Sequence, residues 1–255
     1  MMRAFFIGLQ FLTRISIVRQ DNWTAEDFGR SVKFFPLIGA VLGAIYAAFA
    51  YAFYDWLPAK GIFLPPHLTA AILLILPPIM TGGLHCDGFM DTMDGVFSGR
   101  SRERMLEIMK DSCTGSSAVF CFVVLMFLEF AILLDMPKEI IVPALFVMPV
   151  IARLMMTAAI VLFPYARPEG LGKAFAQYAD RSALTFAAIC TLVLIFPFSR
   201  LAFVSLAVCA AFTAFFGRYV EKRLGGLTGD VYGAITTLNE GLVLLSFLVG
   251  AFVLK

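Results

Sequence analysis

The chain alternates long apolar runs with short polar segments. Runs near the length that spans a bilayer as a helix, about 17–25 residues, occupy 34–54, 62–80, 118–134, 140–163, 183–198, 201–217 and 238–254. Each is apolar on all sides, as expected of a helix with no water-facing stripe. Only Phe198-Ser199-Arg200 separates the fifth run from the sixth, which predicts a helical hairpin turning on that tripeptide. The pattern predicts an all-α polytopic membrane bundle of about seven transmembrane helices, or six if one run is re-entrant.

The first stretch, Met1 to Val18, follows a different rule. Arg3, Gln10 and Arg14 interrupt Phe5, Phe6, Ile7, Leu9, Phe11 and Leu12. Arg14 breaks the apolar centre and no small-x-small cleavage pattern follows, so a signal peptide is disfavoured. The segment 1–33 is expected to be an amphipathic, cytoplasmic N-terminal region with its helix lying in the membrane interface.

Composition agrees with the pattern. Hydrophobic residues make up 60% of the chain and charged residues 15%, against about 45–50% and 25% in soluble domains. Mean hydropathy is +0.88. Disorder and a polar repeat protein are excluded, and a net charge of +2 gives no footprint for a nucleic-acid partner. The five cysteines include no CxxC pair, which disfavours a zinc ribbon or a disulfide framework.

The position of the charges matters more than their sum. Residues 1–33 hold five Lys or Arg, 81–117 hold four, 164–182 hold three and 218–237 hold three, while each intervening connection and the C-terminal Lys255 contribute one. The alternation fits seven spans. By the positive-inside rule the rich segments face the cytoplasm and Lys255 faces out. The three long loops 81–117, 164–182 and 218–237 then share one side, where a site can be assembled. A transporter would instead place its polar groups at mid-membrane, and only Glu129 and Arg153 lie well inside the runs.

The densest chemistry is Gly82-Gly83-Leu84-His85-Cys86-Asp87-Gly88-Phe89-Met90-Asp91-Thr92-Met93-Asp94-Gly95. Asp87, Asp91 and Asp94 recur at i, i+4, i+7, which puts them within roughly 60° of arc on one helix face. Three carboxylates so placed repel one another and raise one another's pKa unless a cation joins them. Carboxylate oxygen suits a hard divalent ion, and Mg²⁺ usually completes its shell with substrate phosphate. The region 81–117 is therefore the expected metal-binding region, with Asp87, Asp91 and Asp94 as ligands.

A second helix is expected over Arg100 to Asp111, with Met105, Ile108 and Met109 as its apolar stripe. Lys110 and Asp111, at its end, are placed to contact phosphate and metal. Arg167 and Lys173 lie in a loop punctuated by Pro164, Pro168, Gly170 and Gly172, and Thr228 and Asp230 follow a similar glycine turn. Arg153 is the one cation inside a run and so a functional candidate. It is expected to face a cavity open to the cytoplasm, touching substrate phosphate or an aspartate. The competing expectation is a structural pair with Glu129, set apart by about 10 Å in depth at 1.5 Å per residue.

With these residues in view, the sequence resembles the cobalamin synthase family of adenosylcobinamide-GDP ribazoletransferases. The resemblance is carried by Phe11-Leu12-Thr13-Arg14, Phe35-Pro36-Leu37-Ile38-Gly39, the long aspartate block, Arg102-Glu103-Arg104, Met109-Lys110-Asp111-Ser112, Pro164-Tyr165-Ala166-Arg167, Gly170-Leu171-Gly172 and Gly226-Leu227-Thr228-Gly229-Asp230. Cys86 stands where the family usually has an aliphatic residue, and Cys113 where it often has Arg. The resemblance implies one integral-membrane transferase domain over 1–255. Its reaction would join adenosylcobinamide-GDP to α-ribazole or its 5′-phosphate, yielding adenosylcobalamin or its 5′-phosphate and GMP. It implies dependence on Mg²⁺ and a bacterial inner-membrane location with the active site facing the cytoplasm. The implied partners are the two substrates and the lipid bilayer, and a homo-oligomer or a complex with other cobalamin-assembly enzymes is left open. The expected catalytic set is Asp87, Asp91, Asp94, Lys110 and Asp111; the expected substrate contacts are Arg14, His85, Arg153, Arg167, Lys173, Thr228 and Asp230. The rivals are another Mg-dependent membrane transferase of the prenyl or CDP-alcohol type, and an ion-coupled transporter. The CDP-alcohol type opens Asp-Gly-x-x-Ala-Arg, whereas Asp87-Gly88 continues here as Phe89-Met90-Asp91-Thr92.

Overall fold

In the computed structural model, which describes residues 2–18, 23–198 and 200–253, the chain is helical almost throughout. In order come α1 (Met2–Leu12), α2 (Ala25–Ser31), α3 (Phe35–Tyr51), α4 (Pro66–Thr81), α5 (Leu84–Val96), α6 (Arg102–Ile108), α7 (Ser116–Asp135), α8 (Lys138–Leu162), α9 (Leu171–Tyr178), α10 (Arg181–Ile195), α11 (Arg200–Leu224) and α12 (Gly229–Val253). Five stretches are long and apolar enough to cross a membrane: Ala25–Lys60, α7, α8, α11 and α12. Two bent pairs, α4 with α5 at 91° and α9 with α10 at 90°, bring the count to seven if each pair is one span. The chain is an integral membrane helical protein. Arg19, Ser199 and Lys255, which entered the charge count or the expected hairpin turn, lie outside the described residues.

The bundle is organised around α8, whose face from Val147 to Thr157 is buried without a break. Against it lies α3, brought close by Gly39 and Gly43. A Cβ on Gly39 would come within 2.4 Å of the Pro149 carbonyl oxygen, and one on Gly43 within 2.4 Å of that of Phe146. Small residues four apart let membrane helices approach backbone to backbone, where dispersion replaces the missing hydrophobic drive. On the other side of α8 lies α12, which also packs against α5 and α11. The outward surface is apolar: on α7, Phe120, Val123, Val124, Phe127 and Leu128 are all exposed, as lipid contact requires.

The polar connections differ most from the sequence reading. The expected loop 218–237 is nearly all helix: α11 runs on to Leu224 and α12 begins at Gly229. A hydropathy window stops at Arg218, Lys222 and Arg223, but cations in a helix's last turns favour its C-terminal dipole. Likewise, 164–182 contains α9, and 81–117 contains α5 and α6. The helix expected over Arg100 to Asp111 is shorter, starting after Ser101, whose hydroxyl accepts the Arg104 N–H at 3.4 Å, and ending at Ile108.

The N-terminal segment is two helices. Ile7, Leu9 and Leu12 of α1 are buried against α2 and α3, leaving Arg3 to pair with Asp27 at 3.2 Å. Thr24 and Asp27 close a reciprocal capping box at the start of α2.

Candidate active site

The site begins at the corner between α4 and α5. Gly82 and Gly83 are consecutive left-handed residues, φ +64° and +76°, a conformation open to glycine at little cost. Their N–H groups bond back to the carbonyls of Ile79 and Pro78 and end α4, and α5 starts at once. A Cβ on Gly82 would also strike the Arg14 guanidinium at 2.0 Å. The Arg14 backbone N–H donates to the Met80 carbonyl at 2.8 Å, so the chain after α1 is strapped across the corner.

Beyond the corner, α5 carries Asp87, Asp91 and Asp94. Packing against α12 is set by Gly88, where a Cβ would meet the Asp230 carbonyl oxygen at 2.7 Å. This contact brings Asp230 into the field of Asp91. Burial, followed by the charges of Asp87 and Asp230, pushes the Asp91 carboxyl up to about 7, with Arg167 opposing them. Four groups from three segments thus act on one another: Asp87, Asp91, Asp230 and Arg167.

Two short loops hold Arg167 in place. Tyr165 and Leu227 form an isolated parallel bridge, with the Ala166 N–H donating to Leu227 O and the Leu227 N–H to Pro164 O, both at 2.8 Å. Arg167 then pairs with Asp230 at 2.9 Å and also reaches the Met109 carbonyl at 3.4 Å.

Several expected residues have other tasks. Asp94 accepts the N–H groups of Gly115 and of Ala118, the latter at 2.9 Å, and so caps the start of α7. Thr228 is fully buried, and its hydroxyl accepts the Val231 N–H at 3.3 Å and donates to Asp230 at 3.2 Å. It is a cap for α12 and a support for Asp230 rather than an open substrate contact. Lys173 folds back onto the Pro168 carbonyl and closes its own loop. Lys110 and Asp111 are exposed after α6, Asp111 accepting the Cys113 N–H at 3.0 Å.

Arg153 corrects the expectation most sharply. It is fully buried and pairs with Glu240, so it neither faces an open cavity nor pairs with Glu129. Glu240 was read as the opening of the last span, but α12 starts eleven residues earlier, which sinks it into the bundle. Glu129 abuts α12 at Gly241, close to Glu240. His85, Glu129, Thr237 and Glu240 share a small polar void of about 20 Å³.

Two of the cavities beside α5 meet at Asp87. A wide cleft of about 520 Å³ is lined by Gln10, Thr13, Arg14, Thr81, Cys86 and Asp87, among others. A narrower one, about 220 Å³, lies between α5, α9 and α12, and Phe11, Leu84 and Asp87 line both. Arg14 and Asp87 are thus brought together, and His85, Arg167 and Asp230 line the second cavity. The sequence reading missed Tyr165, Phe175 and Tyr232 as lining residues of this cavity. Tyr165 sat within the quoted Pro164-Tyr165-Ala166-Arg167 stretch, whereas Phe175 and Tyr232 look like ordinary core aromatics.

Among the described residues, no three His, Cys, Asp or Glu side chains converge closely enough to hold a metal by themselves. The donor chemistry nevertheless fits a hard cation that takes only one or two carboxylates from protein and the rest from phosphate and water. Burial and then the neighbouring carboxylates raise the Asp91 carboxyl, so its charged form gains from a nearby cation.

The cobalamin-5-phosphate synthase family model, CobS, matches residues 4–248. The chain belongs to this family. Proteins named adenosylcobinamide-GDP ribazoletransferase are similar over nearly full length. That of Desulfitobacterium hafniense is 37% identical, covering 98% of this chain and 97% of its own. That of Fusobacterium nucleatum is 32% identical, covering 97% and 98%. That of Clostridium acetobutylicum is 34% identical, covering 96% and 95%. No solved structure matches the chain. In this CobS chain, the stretches that carried the family resemblance at the start, in the aspartate block and before α12 meet at the α4–α5 corner.

Proposed function

We propose that this chain is an adenosylcobinamide-GDP ribazoletransferase acting in a bacterial inner membrane, with its site facing the cytoplasm. It joins adenosylcobinamide-GDP to α-ribazole or α-ribazole 5′-phosphate and releases GMP. The full-length family match supports the reaction. The observation that carries its placement is the assembly of Asp87, Asp91, Asp230 and Arg167 beside a cleft holding Arg14.

The ribazole 3′-hydroxyl attacks the cobinamide-side phosphorus, its proton passes to an aspartate of the cluster, a new P–O bond forms, and the bond to the GMP oxygen breaks, releasing GMP. Such a transfer needs positioning and charge neutralisation more than covalent chemistry from the protein. Asp87 and Asp91 would hold Mg²⁺, which when bound neutralises pyrophosphate charge, and Asp230 lies in the field of Asp91. Arg14, exposed in the wide cleft, supplies a cation for a phosphate oxygen. Arg167 restrains Asp230 and keeps part of the carboxylate charge in check. Cytoplasmic orientation rests on the Lys/Arg bias of the segments at this end.

Product analysis tests the reading. Purified protein in detergent, given adenosylcobinamide-GDP, α-ribazole and Mg²⁺, should yield a cobalamin and stoichiometric GMP, and chelation of the metal should stop it. Hydrolysis to GMP without a joined product, or turnover indifferent to chelation, would refute it.

A further inference from the structure

The narrow cavity behind Asp87 has features that the acidic cluster does not use. Its volume, about 220 Å³, falls below the roughly 300–1,000 Å³ of drug-sized pockets. It has room for one fused bicyclic ring and not for a corrin macrocycle. Two aromatic pairs line it: Phe11 with Phe175, ring centroids 5.2 Å apart, and Tyr165 with Tyr232 at 6.4 Å. Gly229 and Gly233 also line it, and a Cβ on Gly229 would meet nothing within 4 Å.

Three lining residues carry buried polar atoms without a hydrogen-bond partner: His85 Nε2, Tyr232 OH and Arg167 Nε. Buried polar atoms are costly unless paired. In a cavity walled by aromatic rings, they fit a heteroaromatic ligand that stacks on its faces and accepts a hydrogen bond at its edge.

Resting on the ribazoletransferase reading, we infer that this cavity binds the benzimidazole ring of α-ribazole, with the ribose pointing out past Asp87 towards the wide cleft. The alternative ring in the reaction is guanine. Guanine presents several donors and acceptors along its edge, and its adjacent N–H groups are best met by a free carboxylate. In this wall Oδ2 of Asp230 is already bound to Arg167 and Thr228, which leaves one oxygen where guanine's paired N–H groups need two. A ring with methyl groups on its far edge and a free nitrogen matches an aromatic wall that also carries unpaired polar atoms. Since Asp87 borders both cavities, a nucleoside held this way brings its hydroxyls to the acidic edge, and the larger substrate is left the 520 Å³ cleft.

Equilibrium dialysis of α-ribazole against the purified full-length protein, without metal or second substrate, tests this directly. Gly229→Leu fills the open space and should weaken binding by about tenfold or more. In turnover it should raise KM for α-ribazole by a similar factor, while KM for adenosylcobinamide-GDP stays within about twofold. Tyr232→Phe, which removes one oxygen and keeps the ring, should weaken α-ribazole binding by a smaller factor with an unchanged melting temperature. If Gly229→Leu fails to fold, Tyr232→Phe decides alone. Loss of adenosylcobinamide-GDP or GMP affinity in place of α-ribazole affinity would assign the pocket to guanine and overturn the inference, as would unchanged binding of both. A protein that makes no cobalamin yet binds α-ribazole in a Gly229-dependent way would keep the pocket and sink the reaction.

Discussion

Arg153 of α8 and Glu240 of α12 form an ion pair inside the helical bundle, with Arg153 fully buried. The pair ties the two helices that carry the core and the back wall of the site. Breaking a buried pair from one side leaves a lone charge, which costs about 3–5 kcal/mol, whereas replacing both partners by apolar groups is often neutral. Arg153→Leu and Glu240→Leu should each lower the melting temperature in detergent sharply, and the double variant should recover most of the loss. A single Arg153 variant that melts normally but loses turnover would restore the role of substrate contact.

Asp91→Asn should behave in the opposite way. Asp91 is half-buried among like charges, so removing its charge relieves repulsion while depriving a cation of a ligand. Insertion and melting should be preserved, and turnover should fall by orders of magnitude. Retention of more than about a tenth of the activity, roughly 1.4 kcal/mol in the barrier, would rule Asp91 out as an essential ligand.

Asp94→Asn separates two roles that the i, i+4, i+7 spacing cannot. Both carboxylate oxygens of Asp94 accept N–H groups at the start of α7, and an amide would turn an NH₂ towards one of them. The loss expected for a charge-assisted bond is about 1.5–3 kcal/mol. Thermal melting should show it, in contrast to Asp91→Asn. An unchanged melting temperature with lost activity would return Asp94 to the metal.

The Asp91 carboxyl, pushed up to about 7, makes metal use depend on pH. Below that value the group is protonated and must lose its proton to bind a cation; above it the ligand is ready. The Mg²⁺ concentration for half-maximal turnover should therefore be higher at pH 6 than at pH 8. For folding without metal the sign is reversed. A folded-state pKa above the unfolded 3.8 means that stability falls as pH rises from about 4 to 7. Chelated protein should accordingly melt higher at pH 5 than at pH 8, and Asp91→Asn should flatten this melting dependence.

Orientation is open to labelling in intact cells. In a Cys113→Ser background, cysteines placed at the exposed positions Arg100 and Glu169 should resist a membrane-impermeant thiol reagent until the cells are opened. Immediate labelling would put the site on the other face.

The runs that became α3, α7, α8 and α10 were legible because membrane burial leaves a one-dimensional trace, unbroken apolarity. The aspartates of α5 were legible because carboxylates a turn apart are costly without a purpose. The extent of α12 was not. Thr236, Thr237, Asn239 and Glu240 read as polar boundary residues, yet they lie within the bundle, where Asn239 bonds Thr213 at 3.0 Å and the Ile235 carbonyl at 2.7 Å and Glu240 meets Arg153. Thr213 and Arg153 on other helices meet Asn239 and Glu240, and a single-sequence window cannot see those partners. The same limit hid the capping by Asp94, because a side chain that satisfies another helix's backbone looks identical in sequence to one that awaits a ligand.

The strap formed after α1 has a practical consequence for handling the protein. Arg14 lies over Gly82 and its backbone is bonded to Met80, while Phe11 borders both cavities. Whatever is fused ahead of α1 is therefore joined through one helix to the wall of the wide cleft. An affinity tag there, or a deletion made to tidy the N-terminus, should be compared with the untagged full chain before kinetic constants are assigned to the aspartates.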